Sequence, residues 1–501
     1  MLYLHKIIKK DMKLKLKKIN FDAGRPVAFI HEDTAKKLDI HVGDRVEVAY
    51  KGRKAVSIVD TVKGFIKEEE ISLSKETSSY LGVKSNQTLD VNIVSEPTSS
   101  QIISKKMNGK ELSKNEIHSI IEDIINNALT EAEISYFVLG VYEKGMSFKE
   151  TVYLTEAMYK TGKVLKWPAS YKVADKHSIG GIPGNRTTPI IVAICAAAGV
   201  VMPKTSSRAI TSAAGTADTI ETLANVNLKV SQLKKTVAKT GACLAWGGSL
   251  GLAPADDKLI RIERLLNLDP ESQLIASIIS KKLAAGSKYL LIDIPSGPGA
   301  KVMKKEAEKL KIKFIKITRH FNIKTRVIIT DGSQPIGNGI GPVLEMLDVL
   351  KVLKREVAPK DLEDKSVLLA AHLLELVGKA EKGNGIAMAM DILESKRALK
   401  KFYQIMASQG RKKSPLSLAK FSCSIKSVKS GKIESINNKT INHLSRILGC
   451  PVDKGAGIYL YKHKHEKINK GDSLVNFYSE SNKKLQEAKK HFHLTNPFII
   501  K

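Results

Sequence analysis

Hydrophobic and polar positions alternate along the first 95 residues, in short runs separated by turn residues. Pro26 to Ile30 and Val42 to Val48 are two such runs. Short alternating strands closed by tight turns are typical of a small β-barrel. We therefore predict a β-rich barrel over residues 1–95, begun by a basic lead-in at residues 1–12. It carries no catalytic constellation, so we expect an oligomerisation or lid role for it.

Between residues 100 and 170, the hydrophobic residues recur with the period of a helix and no longer alternate. Glu96 to Ser100 has the composition of a linker. An isoleucine stripe from Ile117 to Ile125 then follows the period of an amphipathic helix. Ser113 and Glu116 have the spacing of a capping box. This segment predicts a small helical domain.

Strands and helices alternate from Tyr171 onward, which indicates a largely parallel sheet with helices on both faces. Ligands of such sheets bind at the carboxyl ends of the strands. The fold class expected is therefore a multi-domain α/β protein, with an α/β domain over residues 171–420 and a C-terminal α+β domain over residues 421–501. The predicted strands are 171–174, 199–202, 242–246, 288–294, 313–317 and 325–330, and the predicted helices are 186–198, 216–224, 230–240, 302–311 and 341–354.

The charge of the chain points to an anionic partner. Its 501 residues carry a formal net charge of +31, with 43% hydrophobic and 5% aromatic residues. The lysines are spread along the whole chain, and few aromatic side chains are present to stack on bases, so nucleic acid is disfavoured as a partner. We favour a lysine-rich genome bias together with an anionic small-molecule substrate.

Cysteine and apolar patterns favour a cytoplasmic protein. The four cysteines, at 195, 243, 423 and 450, form no CxxC pair. No signal core follows the basic N-terminus, and the longest apolar run, Ile190 to Met202, is too short to span a bilayer. Histidines at 463, 465, 491 and 493 alternate near the end, but we interpret them as surface residues and expect no metal site.

Most of the candidate functional residues, which are basic, hydroxyl-bearing or glycine, lie between Asp175 and Glu221. A polar, glycine-rich turn from Lys176 to Arg186 precedes an apolar helix. A second basic cluster, Lys204 to Arg208, leads to Gly215 and Thr216. Glycines allow close backbone approach, helix N-termini offer amide donors, and lysine, arginine and hydroxyls complete an anion site. The alternative is a pair of ordinary strand-to-helix loops with solvated charges.

These two motifs, KHSIGGIPGN and SSRAITSAAGTADTIE, resemble the signature of the pyrimidine nucleoside phosphorylase family, and most of all its archaeal, AMP phosphorylase-type branch. The resemblance implies reversible phosphorolysis of a nucleoside 5′-monophosphate, with AMP giving adenine and ribose 1,5-bisphosphate. Thymidine phosphorylase is the alternative within the family. Outside it, the alternatives are a nucleotide-binding protein without turnover and a basic nucleic-acid-binding protein.

The resemblance also assigns roles to residues. It implies phosphate binding by Lys176, Ser178, Ser206 and Thr216, and proton donation to the leaving base by Asp269. The residues alone favour a helix N-cap for Asp269, before Pro270, and helix caps for Ser206 and Thr216. Further substrate contacts are implied at Gly181, Ser207, Arg208, Ala209, Ile210, Thr211, Ser212, Thr216, Ser277, Lys281 and Lys301.

Three of these positions, Ser277, Lys281 and Lys301, bear on the identity of the substrate. Ser277 and Lys281 lie four apart, on one helix face, where the family holds the base. Pyrimidine enzymes of the family carry an arginine upstream, and the resemblance implies that Glu263, not an arginine, lies nearest that position here, so the thymidine alternative is weakened. Lys301 would pair with a 5′-phosphate, and Arg186 fits the same anion pocket. His177 either orients the substrate or satisfies its loop.

The family also implies how the domains cooperate. Residues 257–285 are expected to pack back onto the helical domain, and substrate is expected in a cleft that closes before reaction. Inorganic phosphate is a co-substrate, and no cofactor is expected. A homo-oligomer, dimeric or larger, is implied by the resemblance.

Overall fold

The computed structural model describes residues 12–94, 96–209 and 212–501. The described residues form two compact units. One runs up to Thr161 and includes Ala253–Ser277, and the other comprises Gly162–Leu252 and Ile278–Lys501. Except for Met12, which begins the first strand, the predicted basic lead-in lies outside the described residues.

The first unit begins with a closed six-stranded barrel, in the strand order β1-β5-β2-β4-β3-β6. Alternate residues fill its interior, among them Leu14 and Leu16 on one strand and Val46 and Val48 on another. The predicted barrel is therefore present. Its elements are β1 (Met12–Leu16), β2 (Val27–His31), α1 (Glu32–Leu38), β3 (Arg45–Tyr50), β4 (Arg53–Val62), β5 (Glu70–Leu73), α2 (Lys75–Leu81) and β6 (Thr88–Val94).

A helical bundle completes the first unit. Its helices are α3 (Thr98–Met107), α4 (Lys114–Ile125), α5 (Glu131–Lys144) and α6 (Phe148–Lys160). The capping box of Ser113 and Glu116 is present at the start of α4, as predicted. Residues 96–100 do not form a full linker, because α3 begins at Thr98. A later helix, Pro254–Leu266, adds Leu259 and Ile262 to the isoleucine-rich core of the bundle.

The α/β region of the second unit is built on parallel strands. In the sheet order β9-β8-β7-β10-β11, a parallel bridge between Val173 and Val201 joins the β8-β9 pair to β7. An apolar core surrounds the alanine-rich α7. The elements, in chain order and with two helices that lie wholly or partly in the first unit, are β7 (Ala174–Ser178), α7 (Thr187–Ala197), β8 (Met202–Ser206), α8 (Thr216–Ile220), α9 (Val230–Thr240), β9 (Ala242–Trp246), α10 (Pro254–Leu266), α11 (Glu271–Ala284), β10 (Tyr289–Ser296), α12 (Lys304–His320), β11 (Lys324–Asp331), β12 (Gly339–Ile340), α13 (Pro342–Lys354), α14 (Lys360–Val377), α15 (Gly385–Glu394) and α16 (Arg397–Ser408).

Three predicted strands differ from the structure. Residues 313–317, predicted as a strand, belong to α12, where Leu310, Phe314 and Ile317 are buried at helical spacing. The sequence KIKFIKI alternates like a strand, but Phe314 and Ile317 lie three residues apart and share one buried helix face, while Ile312 is exposed. Strands 171–174 and 199–202 are shifted toward the C-terminus, because β7 and β8 run on into the polar motifs. Lys176, Ser178 and Ser206 therefore lie on strands and not in loops.

The C-terminal region is α+β, as predicted. It has the sheets β12-β15-β17-β13 and β16-β14-β18, so one strand from the α/β region joins the first of them. Ile441, Leu444 and Leu448 turn one face of α17 into the core of this region. The elements are β13 (Phe421–Lys426), β14 (Gly431–Ile436), α17 (Asn438–Leu448), β15 (Gly457–Leu460), β16 (Lys467–Ile468), β17 (Ser473–Ser479), α18 (Asn482–Thr495) and β18 (Phe498–Ile500).

Candidate active site

The carboxyl ends of β7, β8, β10 and β11 meet at one edge of the sheet, because these strands are parallel. The sequence motifs leave from this edge: β7 ends at Ser178 and β8 at Ser206. The four strands are followed by loop residues 179–186, 207–209 with 212–215, 297–303 and 332–338. Ligands of parallel sheets bind at this edge, so the predicted phosphate-binding residues of the α/β region are brought together where an anion can be held.

Lys176 is a buried cation at this edge, with a relative exposure of 1%. Its Nζ donates to Thr187 Oγ1 at 2.9 Å and to Thr188 Oγ1 at 3.5 Å, both in the first turn of α7. Burial lowers the pKa of Lys176 to about 7, although the Asp293 carboxylate acts in the opposite direction. A dianion bound beside this ammonium would favour its protonated form.

Asp175 holds two further lysines of the second unit. Its carboxylate lies 3.2 Å from Lys204 Nζ and 2.8 Å from Lys282 Nζ. Burial raises the pKa of Asp175, but the two ammonium groups outweigh that effect and lower the pKa overall. The buried ion pairs therefore tie β7 to β8 and to the end of α11.

Ser178 is already hydrogen-bonded within the protein. Its Oγ donates to Asp293 Oδ2 at 2.6 Å and accepts from Asn185 Nδ2 at 3.2 Å. Asp293, in the apolar strand β10, also accepts from Thr330 and faces Lys365 Nζ at 3.2 Å. Sequence reasoning did not select Asp293, although an aspartate inside a buried apolar strand is a signal that could have found it.

Ser206 offers a hydroxyl to a ligand. Its Oγ is buried and has no hydrogen-bond partner within residues 12–94, 96–209 and 212–501. Buried polar groups are nearly always paired, so a group left open at the end of a strand is well placed to receive an anion. Sequence reasoning selected this residue for phosphate, and the structure leaves it available.

Gly215 folds the second motif back onto β8. A Cβ atom at this position would lie 2.4 Å from the carbonyl carbon of Arg208 and 2.5 Å from Ser207 O, so only glycine fits. Ala217 N donates to Ser207 O at 3.3 Å, which closes the turn. Thr216 is thereby brought beside the end of β8, where the phosphate prediction needs it.

Arg186 supports Thr216 from the first motif. Its guanidinium donates to Thr216 Oγ1 at 3.0 Å, to Ala214 O at 2.8 Å and to the buried Glu345 at 2.6 Å. Burial raises the pKa of Glu345, and Arg186 opposes that rise. The two motifs are therefore joined directly through one arginine.

Arg208 is engaged by acidic residues. Its guanidinium donates to Glu221 at 2.8 and 2.7 Å and to Asp218 at 3.1 Å, and it lies 4.9 Å from the Trp246 ring centre. The hydrogen bonds to Arg208 are the main reason that the pKa of Glu221 falls to about 2. Since its charge is directed to these carboxylates, Arg208 shapes the loop, and its predicted contact with substrate stays a prediction.

The remaining residues of the second motif lie in the same turn. Ala209 N and Gly215 N both donate to Asp218 Oδ2, at 2.8 and 2.9 Å. Ser207 is exposed, and Ser212 Oγ donates to Ala214 O at 2.6 Å. The predicted substrate residues Ile210 and Thr211 lie outside the described residues.

Gly181 and Lys301 bring the loops after β7 and β10 together. Gly181 has a φ of +105°, and a Cβ built on it would lie 3.8 Å from Lys301 N. His177 is half-buried one residue before the end of β7, and burial, aided by Lys282 and Lys204, lowers its pKa well below the ordinary value. A neutral imidazole can orient a ligand without adding charge.

Asp269, Ser277 and Lys281 are arranged along one short segment. Asp269 is exposed and lies two residues before the first residue of α11, Glu271. Ser277 and Lys281 are half-buried and share one face of this helix. Asp269 and Ser277 belong to the first compact unit and Lys281 to the second.

Within the described part of the chain, no cluster of three or more histidine, cysteine, aspartate or glutamate side chains is placed to hold a metal ion. The four cysteines are free, and three of them are buried. His463, expected at the surface, is half-buried and bonds Asn338 at 2.8 Å. Among the same described residues, no helix has the length and hydropathy needed to cross a membrane.

Three family descriptions match the chain in order. Residues 100–162 match the helical bundle domain of a glycosyl transferase family, and residues 170–399 match its a/b domain. Residues 432–497 match the pyrimidine nucleoside phosphorylase C-terminal domain. AMP phosphorylase 1 of Archaeoglobus fulgidus is 40% identical over 494 residues, 98% of this chain and 97% of that protein. The AMP phosphorylase of Methanococcus aeolicus is 41% identical, over 97% of each chain.

The chain belongs to the archaeal-type branch of the pyrimidine nucleoside phosphorylase family. The resemblance found from the two motifs is confirmed, and the protein is an enzyme of the pentosyltransferase class. Its fold is similar to that of anthranilate phosphoribosyltransferase from Thermus thermophilus, with a TM-score of 0.51 and 16% identity over 61% of this chain and 98% of that chain. At that identity the likeness concerns the fold alone.

Proposed function

We propose that the enzyme catalyses the reversible phosphorolysis of AMP. The observation that carries the proposal is the carboxyl edge of the sheet, where the buried Lys176 of β7 and the open hydroxyl of Ser206, the last residue of β8, lie on neighbouring strands. The names of relatives about 40% identical over nearly the whole chain favour AMP as the nucleotide. Inorganic phosphate is the proposed co-substrate, with no further cofactor.

The reaction exchanges one bond to carbon for another. A phosphate oxygen attacks C1′ of AMP and forms a new C–O bond. The bond from C1′ to N9 breaks, and the electron pair of that bond passes to N9 of the departing adenine. Asp269 gives a proton to the departing base, and the other product is ribose 1,5-bisphosphate. Lys176, Ser206 and Thr216 hold the attacking phosphate, whose fixed position and neutralised charge lower the barrier.

Recognition of the nucleotide is assigned to other groups. Lys301, beside Gly181, pairs with the 5′-phosphate, a group that a nucleoside lacks. Ser277 and Lys281 contact the base from one face of α11. By the family resemblance, Glu263 lies nearest the position where pyrimidine enzymes carry an arginine, so we take thymidine as the weaker candidate. We propose that the enzyme acts in the cytoplasm as a homo-oligomer of two or more copies.

A substrate panel tests this proposal. Release of free base is measured from AMP, CMP, UMP, thymidine and uridine, each with and without inorganic phosphate. We expect phosphate-dependent release from AMP, and a fall of about 100-fold or more in kcat for Asp269→Asn. Asp257→Asn, which alters an exposed carboxylate of α10, is the control and should behave like wild type. Turnover of thymidine with AMP inert would refute the assignment.

A further inference from the structure

One face of α17 contacts loops at the carboxyl edge of the α/β sheet, although this helix belongs to the C-terminal region. Asn438 and Asn442 lie one turn apart on that face, with exposures of 0% and 4%. An adjoining face, with Ile441 and Leu444, packs in the C-terminal core. Two buried amides are thus directed away from that core, toward the α/β region.

Asn442 joins the two signature motifs. Its Nδ2 donates to Gly181 O at 3.0 Å, and its Oδ1 accepts from Ala213 N at 3.0 Å. Gly181 lies in the loop after β7, and Ala213 lies in the loop after β8. One side chain therefore satisfies a backbone acceptor of one motif and a backbone donor of the other.

Asn438 extends the same contact to the other two loops. Its Nδ2 donates to Gly332 O at 2.9 Å, in the loop after β11. A Cβ built on Gly299, in the loop after β10, would lie 3.5 Å from the Asn438 Cβ. The asparagine face of α17 consequently touches the loops that follow β7, β8, β10 and β11.

Two more contacts bind the second motif to this region. Arg446 donates to Ser212 O at 3.4 Å. Ala213, with an exposure of 1%, packs among the buried residues of the C-terminal core. The C-terminal region therefore contacts both the backbone of this loop, at Ser212 O, and one of its side chains, that of Ala213.

We propose that Asn442 is a positioning residue for phosphate, through which the C-terminal region sets the spacing of the two signature loops. This inference rests on the proposed function, since it assumes that these loops hold the attacking phosphate. Asn442 touches no reacting atom in this account. It acts by holding Gly181 and Ala213 at a fixed separation, and small displacements of binding groups are costly in catalysis.

The test compares Asn442→Ala with Ser445→Ala in the full-length protein. Ser445 is buried one turn further along α17, and its Oγ donates to Ile441 O at 2.9 Å within the helix. Both variants lose a buried polar group from the same helix, but only the first removes a contact to the signature loops. Binding of inorganic phosphate is measured by calorimetry, together with KM for phosphate and the melting temperature without phosphate.

We expect Asn442→Ala to raise the Kd and the KM for phosphate about tenfold or more, with phosphate KM affected more than kcat. Ser445→Ala should leave both constants within about twofold while lowering the melting temperature by a similar amount. Equal phosphate constants in the two variants would overturn the inference and leave Asn442 a purely structural residue.

The calorimetric arm keeps this test separate from that of the proposed function. If wild type binds phosphate but releases no base from AMP, the proposed reaction fails while the effect of Asn442→Ala on phosphate binding still decides the inference. If wild type binds no inorganic phosphate, the inference itself is overturned.

Discussion

Replacing Lys176 by methionine should separate phosphate binding from stability. The substitution keeps the length and apolar stem of the side chain but removes Nζ, which lies 2.9 Å from Thr187 Oγ1. A hydrogen bond to a charged partner contributes about 1.5–3 kcal/mol, and each 1.4 kcal/mol corresponds to about a factor of ten. We therefore expect KM for phosphate to rise by about 10- to 150-fold.

Although Lys176→Met should weaken phosphate binding, it should not destabilise the phosphate-free protein. Lys176 is 1% exposed, and its pKa of about 7 shows that burial disfavours the charged form. Methionine carries no such cost, so the melting temperature of Lys176→Met without phosphate should equal or exceed that of wild type. Lys172→Met is the matched control, because Lys172 precedes the same strand but is exposed.

The pH dependence gives the same prediction a second readout. Above the pKa of about 7, the protonated fraction of Lys176 falls about tenfold for each pH unit. Since kcat/KM reports the ionisation of the free enzyme, kcat/KM for phosphate should fall with that slope above neutral pH in wild type. Phosphate itself becomes more fully dianionic as pH rises, which cannot cause the fall. A phosphate KM unchanged in Lys176→Met, or the same slope in that variant, would refute the role given to Lys176.

Three further predictions concern the turn, the buried amide and the thiols. Gly215→Ala should weaken phosphate binding by at least tenfold, because its Cβ would lie 2.4 Å from the carbonyl carbon of Arg208; Gly247→Ala, whose Cβ would make only ordinary contacts at 3.8 Å with Ser206 O and Thr205 Cβ, is the calorimetric control. Gln273→Leu should raise the free energy of unfolding in urea by about 1 kcal/mol, because this amide is 1% exposed and has no partner among the described residues; a decrease would contradict the reasoning. In the folded protein Cys423 should react with a thiol reagent long before Cys195, Cys243 and Cys450, whose pKa values burial raises; rapid reaction of all four would show that the core is open.

Local sequence patterns predicted the elements whose periodicity is unambiguous. The stripe from Ile117 to Ile125 and its capping box form α4 as expected, and the alternating runs before residue 95 close into a barrel. The strand predicted from KIKFIKI was wrong. The run alternates with the period of a strand, but Phe314 and Ile317 also have the spacing of a helix, and only their burial on one helix face decides between the two. β7 was displaced because Asp175 and Lys176 look like loop residues, yet both are buried in the strand.

Candidate site residues could be predicted where a motif is continuous, whereas the partners that tertiary packing supplies could not. Lys176, Ser206 and Gly215 stand within two short motifs that the sequence alone singles out. The carboxylates that occupy Arg208 become apparent only when α8 folds back, since Glu221 is 13 residues away. Asn442 lies 229 residues from Ala213 and 261 from Gly181, so no local pattern could join them.

Isotope-labelled phosphate tests the central claim most directly. The enzyme is incubated with AMP and phosphate that carries oxygen-18 at all of its oxygens, and the sugar product is examined by mass spectrometry. Attack by phosphate on C1′ predicts ribose 1,5-bisphosphate whose 1-phosphate retains every labelled oxygen, including the one bonded to carbon, together with free adenine. Unlabelled ribose 5-phosphate would show that water is the nucleophile and would contradict the account, as would the absence of adenine release.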